Sequence, residues 1–134
     1  MADDSYLRWP FFDDSHRELA RQLRGWCEVN PELFHQPHSL PLDEACRRIV
    51  STLGKAGWLR YVVPRAYGGI HDTMDVRSIC IIRETLAQRS GLVEFCFAMQ
   101  GLGMGPVSLF GSEVLKKKVL PGIAAGQKIG AFAI

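Results

Sequence analysis

Apolar residues along this chain recur mostly at helical spacing, with capping and turn residues between the runs. The first amphipathic run opens at Ser15-His16-Arg17-Glu18, which has the Ser-x-x-Glu spacing of a capping box. Leu19, Leu23 and Trp26 follow at i, i+4 and i+7 on one helical face. Asn30-Pro31 ends that run, because the residue before a proline is pushed out of the α region. After a connector carrying Pro31, Pro37 and Pro41, Asp43 is placed to cap a second helix with Cys46, Ile49, Val50 and Leu53 inward, ended by Gly54 or Gly57. Residues 58–72 are irregular: Val62-Val63-Pro64 reads as extended, and Tyr67-Gly68-Gly69 as a tight turn needing positive φ. Asp72 then caps a third helix with Val76, Ile79, Ile82 and Leu86 inward, broken at Ser90-Gly91. A fourth, almost wholly apolar helix runs from Leu92 to about Phe110. Gly111-Ser112 restarts the chain into a short helix through Leu115 and Val119, and Pro121-Gly122 and Gly126 flank one more turn.

This pattern predicts an all-α fold, an up-and-down helical bundle of about five to six helices spanning residues 1–127. Residues 128–134 lose helical periodicity and read as the start of a β-strand, the first of a further β-domain. A strand needs ladder partners, and an apolar Phe-Ala-Ile end is an exposed edge, so a further element is expected after Ile134. With 134 residues, 47% apolar and 22% charged, the composition is that of one small globular domain. A net charge of +2 gives no field for nucleic acid, and the one cationic run, Lys116-Lys117-Lys118, reads as a solvated helix face. The longest nearly uncharged stretch, Phe95 to Phe110, is interrupted by Gly101, Gly103, Gly105 and Pro106 and is short for a bilayer, so no membrane span is expected. The four cysteines form no C-x-x-C pair and fall inside apolar helical patterns; buried thiols in a reducing compartment are expected. The acidic N-terminus has no apolar leader, which adds up to an expected cytoplasmic location.

Few residues suggest chemistry. In His35-Gln36-Pro37-His38 the proline prevents a regular helix from setting metal-ligand geometry, and no Cys or carboxylate cluster stands nearby, so no metal site is expected. His16 reads as a surface residue of the capping box, and His71 follows the Gly-Gly turn without an identifiable partner. Gly101-x-Gly103-x-Gly105 lacks the third glycine and the preceding strand of a dinucleotide loop. Phe95, Met99 and Leu102 recur at i, i+4 and i+7 beside Gly103. By periodicity alone they suit either ordinary core or the wall of an apolar ligand pocket.

Three segments, in order, resemble the acyl-CoA dehydrogenase family. Gly57-Trp58-Leu59 followed by Val63-Pro64-Arg65-Ala66-Tyr67-Gly68-Gly69 is similar to the family's P-x-x-Y-G-G segment. Gly101 to Gly111, then Ser112-Glu113-Val114-Leu115-Lys116, resembles its long apolar helix, F-G-S and basic short helix. Leu120-Pro121 through Gly126, then Gly130-Ala131-Phe132-Ala133-Ile134, resembles its L-P-x-x-x-x-G-x-x-x-G-A-F-A segment, which enters a β-domain. The resemblance runs from about Phe12 onward and implies the family's all-α N-terminal domain. It also implies FAD, an acyl-CoA substrate, an electron-transfer flavoprotein as acceptor and a homo-oligomeric parent, dimer or tetramer. In that chemistry a Glu base removes the α-proton while the β-hydrogen leaves as hydride to the flavin, with hydrogen bonds stabilising the enolate. The family's base lies in a C-terminal bundle, and neither Glu84 nor Glu94 matches it, so no catalytic residue is expected here and the chain alone should be inactive. By resemblance, Phe132 and Ile134 are candidate cofactor contacts at the start of the flavin-contacting strand. Phe95, Met99, Leu102 and Gly103 are candidate substrate contacts on the helix that lines the acyl-chain pocket. Related acyl-CoA oxidases, flavin monooxygenases and a stand-alone helical interaction module are the alternatives.

Overall fold

Residues 3–35 and 40–131 are described by the computed structural model, and among them six α-helices form. They are α1 (Asp14–Val29), α2 (Glu32–His35), α3 (Leu42–Lys55), α4 (Val76–Ala87), α5 (Gly91–Phe110) and α6 (Glu113–Ala124). Single 3₁₀ turns cover Ser5–Arg8, Trp58–Val62 and Arg65–Tyr67. The fold is all-α, as expected. The strand expected from residue 128 onward is not seen among the described residues: Lys128–Ala131 is irregular, and 132–134 lie outside them. Pro37 and His38 lie outside them as well.

Two helix starts differ from expectation for the same reason, a buried polar junction. The capping box of α1 is Asp13 with His16, not Ser15 with Glu18. The Asp13 carboxylate accepts from the backbone N–H of Ser15 (2.9 Å) and His16 (3.3 Å), and the His16 ring faces the Asp13 N–H at 3.2 Å. Glu18 instead pairs with Arg21 and Gln22 on the surface. His16 is only 2% exposed, so it is not a surface residue. Its Nε2 lies 2.9 Å from an oxygen of Asp75, which also accepts from the Ser78 hydroxyl at 2.6 Å. Asp75, not Asp72, is therefore the residue at the start of α4. The later start rotates the inward face, which comprises Ser78, Ile81, Ile82, Thr85 and Leu86 and leaves Val76 exposed.

The remaining differences are local. Pro41 precedes α3, and Asp43 and Glu44 occupy its first turn, where the helix dipole favours acidic groups. Pro121 sits inside α6 on the exposed side, so one helix replaces the expected helix and separate turn. Cys27 and Cys96 are buried and Cys46 half-buried, but Cys80 is exposed. Burial pushes the Cys27 thiol up to about 11, and burial with the neighbouring Cys46 pushes Cys96 up to about 12, so both stay protonated and unreactive near neutral pH.

One core joins these helices. Leu23, Ile49, Leu53, Leu59, Ile81, Ile82, Leu86, Phe97, Leu120 and Ile123 are its largest fully buried apolar members. α4 packs against both α1 and α5, α3 packs on α5, and the Trp58–Val62 turn fills the space between α3, α5 and α6. The Ser90 cap begins α5 at Gly91 and makes it 20 residues long, with a mean hydropathy of 1.3 in its most apolar window. By length and composition alone that helix could cross a membrane, but its first half is built into the core through Val93, Cys96, Phe97 and Gln100.

Candidate functional site

The Ser90 hydroxyl caps α5 by accepting from Val93 N–H at 3.4 Å, and Glu94 in its first turn complements the helix dipole. Three glycines and Pro106 then weaken the second half, each glycine by about 1 kcal/mol relative to alanine. Two of the glycines, Gly101 and Gly103, provide close approach. A Cβ on Gly101 would sit 3.2 Å from Val62 Cγ1, and one on Gly103 would sit 3.1 Å from the backbone of Ala131.

Along the α4 side of α5 runs an apolar groove with a cavity volume of about 420 Å³. Its floor is Phe97 and Val62, both buried. Ala98, Gly101, Leu102, Gly105 and Leu109 form the α5 wall, facing Ile79 and Arg83 of α4 and Met74 of the preceding loop. Arg83 is the one charged group lining it, and its guanidinium is turned onto Glu94. The groove therefore presents hydrocarbon and no free acid or base, and its size lies in the range of small-molecule sites. Such a surface can hold an alkyl chain and exclude water from it, and it has no group placed to move a proton.

Of the four residues singled out on this helix, Leu102 lines the groove, 54% exposed. Phe95, 58% exposed, and half-buried Met99 lie outside its lining, and Gly103 faces the outgoing backbone at Ala131. Phe132 and Ile134 fall outside the described residues. Gly101 and Gly105 stood out in the sequence only as part of the Gly-x-Gly-x-Gly run, and Ala98, Met74 and Arg83 carried no distinguishing signal.

The Pro-x-x-Tyr-Gly-Gly segment has a structural explanation. Gly68 adopts φ +101°, and a Cβ on Gly69 would lie 1.6 Å from the Val63 carbonyl oxygen, so neither position accepts a larger residue. The Tyr67 hydroxyl donates to Glu113 at 2.7 Å, tying this loop to the first turn of α6. His71 packs edge-on to Tyr61, with ring centroids 5.8 Å apart.

The family model for the acyl-CoA dehydrogenase N-terminal domain matches residues 13–127. A probable acyl-CoA dehydrogenase of Bacillus subtilis is 32% identical over 127 residues, covering 92% of this chain and 20% of that protein. A probable acyl-CoA dehydrogenase of Mycobacterium leprae is 30% identical over 133 residues, covering 93% and 33%. A glutaryl-CoA dehydrogenase of Desulfococcus multivorans is 32% identical over 123 residues, covering 87% and 30%. Among solved structures, an acyl-CoA dehydrogenase from Bacillus anthracis, complexed with FAD, aligns with a TM-score of 0.72 at 32% identity, over 89% of this chain and 20% of that one. The chain belongs to the acyl-CoA dehydrogenase family and corresponds to its N-terminal helical domain. It spans between a fifth and a third of the length of these relatives.

Proposed function

We propose that this domain serves an FAD-dependent acyl-CoA dehydrogenase, where its α5 groove forms one wall of the acyl-chain pocket. The observation that carries the reading is the groove itself: about 420 Å³, hydrocarbon-lined, with its only charge neutralised by Glu94. Apolar burial favours an acyl chain by about 0.8 kcal/mol per methylene, whereas an unpaired charge in the same place would oppose it. Of the four α5 residues that the resemblance assigns to the pocket, Leu102 belongs to this groove, and Phe95, Met99 and Gly103 stand outside its lining.

The described residues offer no cradle for a dinucleotide. The cofactor contacts that the resemblance assigns, Phe132 and Ile134, lie outside the described residues, which end on buried Gly130 and exposed Ala131. Bound in the parent, FAD would supply the hydride acceptor. The tasks left to this domain are to hold the alkyl chain, keep water off it and start the exit segment from a fixed point. An electron-transfer flavoprotein, a homo-oligomeric parent and a cytoplasmic location belong to the same reading.

The test is Ala98→Phe in the parent enzyme, assayed over a series of acyl-CoA chain lengths with a dye acceptor. The added ring fills the middle of the groove and should shift kcat/KM toward shorter chains by on the order of tenfold or more, the cost of removing one or two buried methylenes. An unchanged chain-length profile would remove the groove from the pocket. The 134-residue chain purified from excess FAD should carry no flavin absorption and turn over no acyl-CoA; a bound-flavin spectrum would contradict the division of labour.

A further inference from the structure

Gln100 is the only buried amide side chain among the described residues, 1% exposed on an otherwise apolar stretch of α5. Both ends of its carboxamide are engaged. Its Nε2 donates to the Cys96 carbonyl at 3.0 Å, and its Oε1 accepts the backbone N–H of Gly130 at 2.7 Å. The partners fix the orientation of the amide, because Cys96 O can only accept and Gly130 N–H can only donate.

The backbone beyond α6 reaches that bond already constrained. The N–H groups of Gln127 and Lys128 both donate to the Gly122 carbonyl, at 2.8 and 3.0 Å. The Lys128 stem lies over Gly122, and its ammonium donates to the Lys118 carbonyl at 2.6 Å. Two glycines then let the chain lie directly on α5. A Cβ on Gly130 would be 3.3 Å from the Met99 carbonyl oxygen, and one on Gly103 would be 3.1 Å from Ala131 N and O. Residues 128–131 belong to no helix or ladder, so the direction in which the chain leaves at Ala131 rests on these contacts. α5 also carries the apolar groove, so one rigid helix sets the distance from the groove to the exit point.

We infer that Gln100 is a positioning residue: through Gly130 it fixes where the segment after Ala131 starts relative to the α5 groove, and so sets the spacing between acyl chain and flavin. The second half of this inference rests on the dehydrogenase reading above; the tether itself does not. Gln100 touches neither substrate nor flavin and acts through the backbone it holds. Buried amides on helices are costly unless both ends are satisfied, and here the second partner comes from 30 residues away in sequence.

The experiment has two arms. In the 134-residue chain, amide hydrogen exchange is followed at Gly130 and at core residues such as Phe97 and Leu23. Gln100→Leu keeps similar bulk on a side chain one atom shorter but offers no acceptor, and should speed Gly130 exchange by roughly tenfold or more while the core amides change little. Gly103→Ala reaches the same segment from the other side, wedging Ala131 away with Gln100 intact, and should act in the same direction if Gln100→Leu fails to fold. In the FAD-loaded parent, both variants should weaken FAD binding and shift the flavin absorption band, because the segment that leads from Ala131 toward the flavin would start from a displaced point. Unchanged Gly130 exchange in Gln100→Leu would overturn the tether. Faster Gly130 exchange with flavin affinity and spectrum unchanged would overturn the positioning role and leave the dehydrogenase reading standing. A wild-type parent that binds no flavin would remove that reading, and the flavin half of this inference with it, while the exchange arm still reports on the tether.

Discussion

The same substitution, glycine to alanine inside a helix, should have opposite signs at two positions of this domain. Gly25 is exposed on α1, and a Cβ built there meets nothing within 4 Å. Gly25→Ala should therefore stabilise by about 0.5–1 kcal/mol, the helix-propensity difference alone. Gly54 lies in the last turn of α3, where a Cβ would be 2.4 Å from both Cα and N of Gly126 and 2.5 Å from the Ala125 carbonyl carbon. Ordinary carbon contacts are about 3.5–4 Å, so α3 and the turn after α6 would have to separate by about 1 Å, and all three atoms are backbone. Overpacking of this kind costs roughly 1–3 kcal/mol, and the propensity gain of about 1 kcal/mol is common to both glycines, so it cancels when the two variants are compared. The contact is reciprocal: a Cβ on Gly126 would meet the Val50 carbonyl oxygen at 2.5 Å, and its φ of +69° disfavours any side chain. The two single variants should differ by about 1–3 kcal/mol, which is on the order of 4–12 °C in melting temperature for a domain of this size. Thermal and urea unfolding followed by circular dichroism measure this directly. A Gly54→Ala protein as stable as Gly25→Ala would mean that α3 and α6 do not approach as closely as described, and the route of the chain from Gly126 to Gly130 would need revision.

Acid should loosen the junction of α1 and α4. Hydrogen bonds from Ser15 and His16 hold the Asp13 carboxyl down at about 2 from an ordinary 3.8; burial would raise Asp75, but hydrogen bonds from Ser78, His16 and Arg77 outweigh it and hold that carboxyl lower still. A depressed folded-state value contributes stability that is present above the unfolded value and lost as pH falls through the folded one. The urea midpoint should therefore fall as pH drops from about 4 to 2, and Asp75→Asn should flatten that fall; a wild-type midpoint flat across the window would contradict the assignment. Ser112→Ala removes the hydroxyl that accepts from Leu115 N–H at 3.3 Å at the start of α6, and should cost about 1 kcal/mol in the same unfolding assay.

Where a helix was signalled by local chemistry, the sequence located it well; where its start depended on a distant partner, it did not. Asn30-Pro31, Ser90-Gly91 and Gly111-Ser112 each act on backbone within a few residues of themselves, and the helix boundaries fall there. The start of α4 is different. Asp72 and Asp75 are equally good caps on local grounds, and what selects Asp75 is its junction with His16, 59 residues earlier in the chain. His16 misleads for the same reason, since spacing shows that it sits in a first turn but not that another helix start closes over it. Pro121 shows the opposite failure: a strong local breaker is tolerated because it falls on the exposed side of α6.

The site was legible as a helix and not as a face. Periodicity picked Phe95, Met99 and Leu102 because large apolar residues at i, i+4 and i+7 stand out, but the groove lies about a quarter-turn away, where Ala98, Gly101 and Gly105 leave space. A pocket is made by what is small as much as by what is large, and a small residue carries the same signal whether it faces a ligand, another helix or a strand. Gly101, Gly103 and Gly105 illustrate this within five residues: Gly101 meets Val62, Gly103 meets the exit segment, and Gly105 has nothing within 4 Å and opens into the groove. Gln100 is the exception that a sequence reading could have used. A carboxamide amid apolar helix residues must find partners if the helix is buried, and the nearest unpaired backbone a fold of this kind can bring to it is a segment that is no longer helical. That requirement points from α5 to Gly130 without any reference to the flavin, which is why the exchange rate at Gly130 bears on the path of the chain before any question of catalysis is asked.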